Sequence, residues 1–390
     1  MHILVVHNRY RAAIPSGENN VVDFEIAALR EAGIEVTPYL RSSDELTAIP
    51  LGQRIRLATS PIHGRDAVAH VEQLIKAVRP DILHLHNPYP LISMSVVRTA
   101  KRHGLPVVQT VHNHRHTCMK GTYQRGGRDC RDCLTARSPW PGVVHACYRD
   151  SHVQSAVMAA ALRRHKGTFA LIDRLIALTP EIEKSLQESG FDPARITIKA
   201  NSVPDPGPPE PLGHGFAYVG RLSEEKGVLA LLDAWCGTPP GQLGMLKIAG
   251  DGPAHSDVER IARTRDDLLL LGRLQGEQVR ELMNSVSTVV VPSLWPEALP
   301  LVVLESLALG RPLLVTNQGG LPTAVDGSVG CVVEPTLDGL TKGLLSLAAD
   351  RERLAKMGHE ARARYESRFH PATVTRELVS IYNGLLASPM

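Results

Sequence analysis

Two runs of alternating strand-like and helix-like segments restrict the fold of this 390-residue chain more than any other feature. In each run, short stretches of β-branched and aliphatic residues alternate with segments whose apolar side chains follow helical spacing. The first run begins at residues 3–6 and the second at residues 216–219. Repeated strand–helix units favour parallel sheets that are covered on both faces. The sequence therefore predicts two doubly wound α/β domains.

A proline-rich segment, 202–214, separates the two runs and predicts a stiff interdomain linker. The predicted domains are 1–201 and 215–368, and a final amphipathic helix is expected within 369–390. Residues 117–150 interrupt the first run and are rich in glycine, arginine and cysteine. A chain of this length is comfortable for two domains.

Composition excludes some classes of partner. Only 4% of the residues are aromatic, so a base-stacking platform for nucleic acid is not expected. Residues 1–200 carry a net charge of +8 and the rest −5, which indicates either uneven surface charge or an anionic partner of the first half. No apolar run reaches the roughly 20 residues of a membrane helix. We expect a cytoplasmic protein with no signal peptide; peripheral membrane contact and the oligomeric state stay open.

The segment 292–305 predicts a buried, almost wholly apolar helix that begins at Pro300 and ends before Gly310. Glu297 lies in the loop before this helix and Glu305 in its middle, and both could accept hydrogen bonds from sugar hydroxyls. The free N–H groups of the helix start suit an anion. The alternative is that Glu297 only complements the helix dipole and that Glu305 pairs with a core arginine.

Three other loops follow predicted strands of the second run. Arg221 and Lys226 come directly after strand 216–219, and two cations there suit a diphosphate, although a solvated basic loop is the alternative. Gly-Asp-Gly-Pro at 250–253 predicts a tight turn where backbone passes close to a neighbour. Gly-Gly-Leu-Pro at 319–322 follows strand 313–316 and is a weak signal by itself.

Taken in chain order and at their spacing, the four motifs resemble those of the family 4 retaining glycosyltransferases, and the resemblance extends over nearly the whole chain. It implies the GT-B fold, in which two Rossmann-like domains face a central cleft. It also implies transfer of a hexosyl group from a nucleotide sugar to an acceptor hydroxyl, with retention at the anomeric carbon and no metal cofactor for catalysis. The N-terminal domain would bind the acceptor and the C-terminal domain the donor, and the final helix within 369–390 would cross back to the N-terminal domain.

By the same resemblance, Arg221 and Lys226 would hold the diphosphate, Glu305 the ribose hydroxyls and Glu297 the donor sugar. Backbone groups around them would cradle the sugar and the β-phosphate. These positions are Gly220, Gly252, Ala298, Leu299, Leu301 and Val302. The family often has Gly-Phe-Gly in the loop after the first glutamate, whereas this chain has Ala-Leu-Pro, and Pro300 removes one N–H donor.

The first half contributes candidate residues from three strand ends. Ser16 and Gly17 follow the first strand, where the family usually has two glycines that face the donor phosphate. His112 ends strand 107–111, and the resemblance makes it a catalytic residue near donor sugar and acceptor. His86 ends the preceding strand, where a substrate-binding role and a buried, hydrogen-bonded histidine are both open.

The insertion 117–150 contains four cysteines, Cys118, Cys130, Cys133 and Cys147. Two of them form a C-x-x-C pair with one cysteine on either side. In a reducing compartment this pattern predicts a structural zinc site, and free thiols in an acceptor-side loop are the alternative. Cys236 and Cys331 are predicted to be core residues.

The donor and acceptor stay open. A UDP-sugar is favoured over a GDP-sugar only because it is more frequent, and a GDP-mannose-dependent mannosyltransferase is the main alternative. The acceptor could be a glycan, a lipid-linked sugar or a natural-product aglycone. A nucleotide-sugar 2-epimerase on the same fold fits the motifs less well. A dinucleotide-dependent oxidoreductase would need G-x-G-x-x-G after the first strand, and residues 7–17 lack it.

Overall fold

The structure, a computed structural model, describes residues 1–12, 16–48 and 57–387. The last three residues of the predicted terminal segment, 388–390, lie outside this description. Contacts divide the chain into two units. The first unit is Met1–Asn201 together with Pro371–Met390, and the second is Ser202–His370.

A six-stranded parallel sheet with the order β2-β1-β3-β4-β7-β8 forms the first unit. Its strands are β1 (His2–Arg9), β2 (Glu35–Ser42), β3 (Ile82–Leu85), β4 (Val107–Val111), β7 (Arg174–Ala177) and β8 (Ile196–Ile198). The helices are α1 (Gly17–Glu31), α2 (Glu45–Ala48), α3 (Arg65–Val78), α4 (Ser95–Arg102), α5 (Asp132–Thr135), α6 (Trp140–Val144), α7 (His152–Phe169) and α8 (Pro180–Glu188), with a 3₁₀ turn at Pro193–Arg195. Because β1 lies between β2 and β3, the winding direction reverses there, which is where open α/β sheets bind ligands.

The second unit has the same design, with the strand order β11-β10-β9-β12-β13-β14. Its strands are β9 (Phe216–Val219), β10 (Leu246–Ala249), β11 (Leu268–Gly272), β12 (Thr288–Val291), β13 (Leu313–Thr316) and β14 (Gly330–Val333). Its helices are α9 (Val228–Cys236), α10 (His255–Ala262), α11 (Glu277–Asn284), α12 (Leu301–Ala308), α13 (Leu321–Ala324), α14 (Leu337–Ala348) and α15 (Arg351–Arg364), with a 3₁₀ turn at Glu224–Lys226 and a π-helical turn at Tyr365–Phe369. The reversal falls between β9 and β12. Two doubly wound, Rossmann-like units are therefore confirmed.

The last helix, α16 (Pro371–Ala387), belongs to the first unit although it ends the chain. It buries Val374, Leu378 and Tyr382. Leu378 and Tyr382 join the apolar cluster formed by α1 and the strands of the first sheet, including Ile3 and Val5. Its apolar stripe thus completes a core that the first 201 residues leave open.

The proline-rich segment 202–214 is attached to the second unit by arginine side chains that bond to its backbone carbonyls. Arg311, which is fully buried, donates to the carbonyls of Glu210 at 2.6 Å and Pro211 at 3.0 Å. Arg351 donates to the carbonyls of residues 212 and 213, and Arg362 to that of residue 207. The predicted linker is therefore a fixed part of the second unit along much of its length.

The insertion 117–150 contains a small antiparallel hairpin, β5 (Gln124–Arg125) with β6 (Arg128–Asp129), followed by the short helices α5 and α6.

Among the described residues, no helix has both the length and the apolar character needed to span a membrane.

Candidate active site

The reversal point of the second sheet brings the loops after β9 and β12 together. Gly227 ends the turn that carries Lys226 and has a φ of +72°. A Cβ atom at Gly227 would lie 1.8 Å from the carbonyl oxygen of Pro292, so only glycine allows this approach. The backbone N–H of Leu294 donates to the carbonyl of Glu225 at 2.9 Å, which closes the same contact.

Glu297 is the centre of this site, and its side chain is 6% exposed. Its Oε1 accepts hydrogen bonds from Lys226 Nζ at 2.6 Å, Ser293 Oγ at 2.6 Å and Trp295 Nε1 at 2.9 Å. The Lys226 ammonium also lies 5.0 Å from the centre of the Trp295 ring. Three donors on one oxygen fix the carboxylate in place, and Oε2 has no hydrogen-bond partner in the described part of the chain. Ser293 and Trp295 are site residues that the sequence analysis did not single out.

The Gly-Gly turn after β13 supports Glu297 from behind. Gly319 has a φ of +54°, and a Cβ atom there would lie 2.2 Å from the carbonyl oxygen of Glu297. The N–H of Gly320 donates to the same carbonyl at 2.7 Å. The Gly-Gly-Leu-Pro motif therefore holds the backbone of the central glutamate.

Helix α12 begins one residue later than predicted, because Pro300 is its N-cap in an extended conformation. The first turn of a helix has N–H groups without intrahelical acceptors. Within the described residues, no acceptor pairs with the N–H groups of the loop and first turn at Ala298, Leu299, Leu301 and Val302. These unpaired donors, next to the Lys226 ammonium, form an environment that favours an anion.

Glu305, on α12, is half-buried and has no hydrogen-bond or ion-pair partner among the described residues. Burial raises the pKa of its carboxyl to about 6. The alternative pairing with a core arginine is wrong, because the buried Arg311 bonds to segment 202–214 instead. An unpaired carboxylate with a raised pKa is typical of a functional group whose partner is a ligand.

Arg221 is exposed, and its side chain makes no ion pair or hydrogen bond with other described residues. Its backbone carbonyl accepts a hydrogen bond from Tyr218 Oη at 2.7 Å, which holds the loop and leaves the guanidinium free. Gly252 allows close backbone packing, since a Cβ there would lie 2.4 Å from the carbonyl oxygen of Leu222. At Gly220 the nearest atom to such a Cβ is Tyr218 Oη at 3.3 Å, which restricts the side chain much less.

In the first unit, His86 and His112 follow the adjacent strands β3 and β4. Nδ1 of His86 lies 2.9 Å from Nε2 of His112, and the two rings are stacked with their centres 5.2 Å apart. Beneath them is Glu25 of α1, whose Oε1 lies 3.3 Å from His86 Nε2 and 3.2 Å from His84 Nδ1. Lys199 Nζ lies 3.3 Å from Oε2 of the same carboxylate. His86 is thus a buried histidine that also contacts the candidate catalytic residue.

Burial and mutual repulsion control the protonation of this cluster. Burial, with His86 and His7 nearby, holds the pKa of His112 well below its usual value, and burial lowers the pKa of His84 to about 3. Burial alone would raise the pKa of Glu25, but the Lys199 ammonium and the histidine rings hold it well below its usual value. The cluster therefore combines an anionic carboxylate with a neutral His112.

His86 and His112 line a cavity within the first unit, together with polar side chains from α1, β4 and the loop that follows β4. These include Glu18, Gln109, Asn113 and Arg115. Ser16 caps α1, accepting a hydrogen bond from the N–H of Asn19 at 3.4 Å, and Gly17 is the exposed first residue of that helix. The Ser16 hydroxyl is thus already used by its own helix.

The four cysteines of the insertion are free thiols in half-buried positions. Burial raises the pKa of the Cys133 thiol to about 11, and the other three thiols of the set act in the same direction. Among the described residues, the only group of three metal-ligating atoms within 4.8 Å of one another is that of Glu25, His84 and His86. Zinc binding by the cysteines would therefore require their sulfur atoms to draw closer. The prediction that Cys236 is a core residue is wrong, because it is exposed.

Comparison with known families assigns both units. Residues 16–202 match the family described as glycosyl transferase 4-like domain, and residues 213–350 match the family described as glycosyl transferases group 1. The chain belongs to the group 1 glycosyltransferases. The two matches cover most of both units, including the residues around Glu297 and around His112.

Relatives of this glycosyltransferase include the glycogen synthase of Mycobacterium tuberculosis, which is 28% identical over 98% of this chain and 94% of its own length. Among solved structures, the sucrose-phosphate synthase of Thermosynechococcus elongatus aligns with a TM-score of 0.72, 18% identity and full coverage of both chains. HepE of Anabaena, solved in complex with UDP and glucose, aligns with a TM-score of 0.66 and 16% identity over 98% of this chain and all of its own. These similarities support the two-domain GT-B fold.

The glycosyltransferase thus brings some of its predicted site residues into contact and leaves others apart. Lys226 and Glu297 form an ion pair, and His86 contacts His112. Arg221 and Glu305 lie on the same unit as that ion pair, with side chains that other described residues do not bind. Glu25 could have been found in the sequence, because it falls on the apolar stripe of α1 beside Val22 and Ile26. Nothing in the sequence around Lys199 indicates its burial beside that carboxylate.

Proposed function

We propose that this glycosyltransferase transfers a hexosyl group from a UDP-sugar to an acceptor hydroxyl, with retention at the anomeric carbon. The observation that carries the proposal is the site at the carboxyl ends of β9 and β12. There, the Lys226–Glu297 pair lies beside the unpaired N–H groups at the start of α12. Such a site combines a fixed cation and free N–H donors for phosphate with a fixed carboxylate for a sugar.

Each group has a definite task in this reaction. The Lys226 ammonium has three N–H donors, of which Glu297 takes one, and the others are available to the diphosphate. The exposed guanidinium of Arg221 supplies a second cation. As the bond between sugar and phosphate breaks, negative charge grows on the departing oxygen, and prearranged donors stabilise that charge. The departing phosphate oxygen then accepts the proton of the attacking hydroxyl, so protons and charge balance.

The remaining carboxylates suit the hydroxyl groups of the donor. Oε2 of Glu297 is unpaired and would accept a hydrogen bond from the transferred sugar. Glu305 would accept from the ribose, since a carboxylate accepts well from paired hydroxyls. Support for a uridine nucleotide is indirect: HepE was solved with UDP and glucose. The cavity of the first unit, lined by His86, His112 and Asn113, would take the acceptor, as a glycan, a lipid-linked sugar or an aglycone.

A panel of nucleoside diphosphates tests the donor assignment. We expect UDP to bind more tightly than GDP or ADP by calorimetry, and Lys226→Ala to weaken that binding by at least about tenfold through loss of charge-assisted hydrogen bonds. Incubation with UDP-glucose or UDP-galactose should release UDP slowly, and NMR of the released or transferred sugar should show the α configuration of the donor. Equal binding of all three nucleotides, or tighter binding of GDP, would overturn the uridine assignment. A β-linked product would overturn retention.

A further inference from the structure

A row of polar side chains, buried at Glu25 and His86 and half-buried at His112, connects helix α1 with the cavity of the first unit. It begins at Glu25, which is 9% exposed, passes through His86, and ends at His112. The two contacts are 3.3 Å, between Oε1 of Glu25 and Nε2 of His86, and 2.9 Å, between Nδ1 of His86 and Nε2 of His112. His112 Nδ1 makes no hydrogen bond with any other described residue. The far end of the row is therefore free to contact a ligand.

The charge of Glu25 determines where the protons of this row lie. Oε1 of Glu25 and Nε2 of His86 are not aligned for a hydrogen bond, but a negative carboxylate at 3.3 Å attracts a proton and repels a lone pair on the nitrogen that faces it. The charge of Glu25 therefore favours the tautomer of His86 that carries its proton on Nε2. In a neutral imidazole the other nitrogen is then an acceptor. Nδ1 of His86 must accept from Nε2–H of His112, which leaves Nδ1 of His112 without a proton. The row thus sets a single tautomer for the residue at the cavity.

Lys199 fixes the orientation of the carboxylate and makes a metal ion an unfavourable occupant. Its ammonium lies 3.3 Å from Oε2 of Glu25 and also donates to the carbonyl of Ala200 at 3.2 Å. The ligand atoms of Glu25, His84 and His86 are close enough together for a metal, but a second cation beside Lys199 would be repelled. Nδ1 of His84 is also already in contact with Tyr382 Oη at 2.7 Å.

We propose that Glu25 is a positioning residue that acts through His86 to fix the ring tautomer of His112, so that unprotonated Nδ1 of His112 accepts a hydrogen bond from a sugar hydroxyl. The sugar part of this inference rests on the proposed function, whereas the tautomer part concerns the free protein alone. His112 is the group that touches substrate. Glu25 lies below it and never reaches the cavity directly.

Histidine ring ¹⁵N NMR of the full chain reads the tautomers directly, because protonated and unprotonated ring nitrogens have well-separated shifts. In the wild-type protein at pH 7.5, we expect His112 to be protonated at Nε2 and unprotonated at Nδ1. The signals of His112 are identified because they are absent from the spectrum of His112→Gln. In Glu25→Gln, Lys199 still requires an oxygen, so the amide NH₂ of the glutamine turns towards His86. Nε2 of His86 becomes an acceptor, and the protons of both rings move to Nδ1.

The matched control is Glu18→Gln, which changes a second carboxylate of α1 that lines the same cavity but bonds to neither histidine. It should leave both tautomers unchanged. Wild-type spectra that show Nδ1 of His112 protonated, or His86 protonated on both nitrogens, would refute the proposal without any variant. Unchanged tautomers in a folded Glu25→Gln protein would refute it too. The proposal would also be refuted if the wild-type protein held one metal ion per chain and this variant held none.

The proposed function is tested separately. UDP binding by calorimetry reports on the second unit, so Glu25→Gln should bind UDP within about twofold of wild type. Turnover of UDP-glucose by the same variant should fall by at least about tenfold, since His112 would present a donor where an acceptor is needed. If wild-type protein does not bind UDP, the donor assignment fails while the NMR result stands. If the wild-type protein binds UDP and Glu25→Gln turns over UDP-glucose normally, only the proposed hydrogen bond between His112 and the sugar is refuted.

Discussion

Replacement of Glu305 by glutamine should make the free protein more stable and the donor complex weaker. The pKa of Glu305 is raised from 4.5 to about 6 by burial. Each pKa unit corresponds to 1.36 kcal/mol, so the ionised carboxylate makes folding less favourable by about 2 kcal/mol. Because the folded pKa is the higher one, this cost is complete above pH 6 and disappears below pH 4.5. Glu305→Gln removes it, and the gain is at most about 2 kcal/mol since the amide is also unpaired.

The same substitution removes a charged acceptor from the nucleotide site. Hydrogen bonds to charged groups contribute about 1.5–3 kcal/mol, and 1.4 kcal/mol corresponds to a tenfold change in affinity. Glu305→Gln keeps one carbonyl oxygen and should weaken UDP binding by about tenfold. Glu305→Ala keeps none and should weaken it by up to about 100-fold.

Calorimetric unfolding and isothermal titration with UDP at pH 7.5 measure both effects. For a unit of this size, 1 kcal/mol shifts the melting temperature by about 2–4 °C, so the second unit should melt up to about 8 °C higher in Glu305→Gln. As the pH falls below 4.5 the difference should vanish. Glu297→Gln is the matched control: its carboxylate has three donors, so this change should lower stability. A Glu305→Gln protein that is less stable at pH 7.5 and binds UDP normally would refute the reasoning.

Three other perturbations test separate parts of the molecule. Arg221→Ala and Lys226→Ala should each lower turnover at saturating UDP-glucose by about 100-fold or more, because charge grows on the diphosphate as the bond breaks; normal turnover in both would place the phosphate site elsewhere. We propose that the four cysteines of the insertion hold one zinc. Plasma emission spectroscopy of protein purified without chelator should then find about one zinc per chain, and a metal-free protein with four titratable thiols would refute the site. Deletion of residues 371–390 should abolish the unfolding transition of the first unit and leave that of the second, and two unchanged transitions would contradict this.

The fold could be predicted from the sequence because each element carries its own local signal. Buried strands such as β1 and β12 are continuous aliphatic runs, and helix ends are marked by residues such as Gly33 and Gly310. The short edge strand β8 was not predicted, because three residues with one buried side chain carry too little periodicity. The start of α12 was placed one residue early, since proline suits both the N-cap and the first helical position.

The candidate site could be predicted less completely. Residues in motifs, such as Lys226 and Glu297, were found by resemblance, but their ion pair depends on the adjacency of β9 and β12, which is a property of sheet order. The buried contact of Glu25 with Lys199 joins residues 174 positions apart, and no local pattern records such a pairing. The side chains that orient Glu297 also carry no local signal. The role of Ser293 and Trp295 as hydrogen-bond donors to Glu297 is recognisable only when the loop conformation is known.

Helix α16 has a consequence for how the protein is made. The first unit needs Leu378 and Tyr382, which a ribosome adds only after the whole of Ser202–His370. At about 5–20 residues per second, roughly 10–30 s separate the synthesis of residue 201 from that of α16. During this time the apolar side of α1 is uncovered and His84 lacks its tyrosine partner, whereas the contiguous second unit is complete as soon as residue 370 has been added. The N-terminal half, although it is translated first, should therefore reach its final structure no sooner than the second unit, and it is where a chaperone would bind.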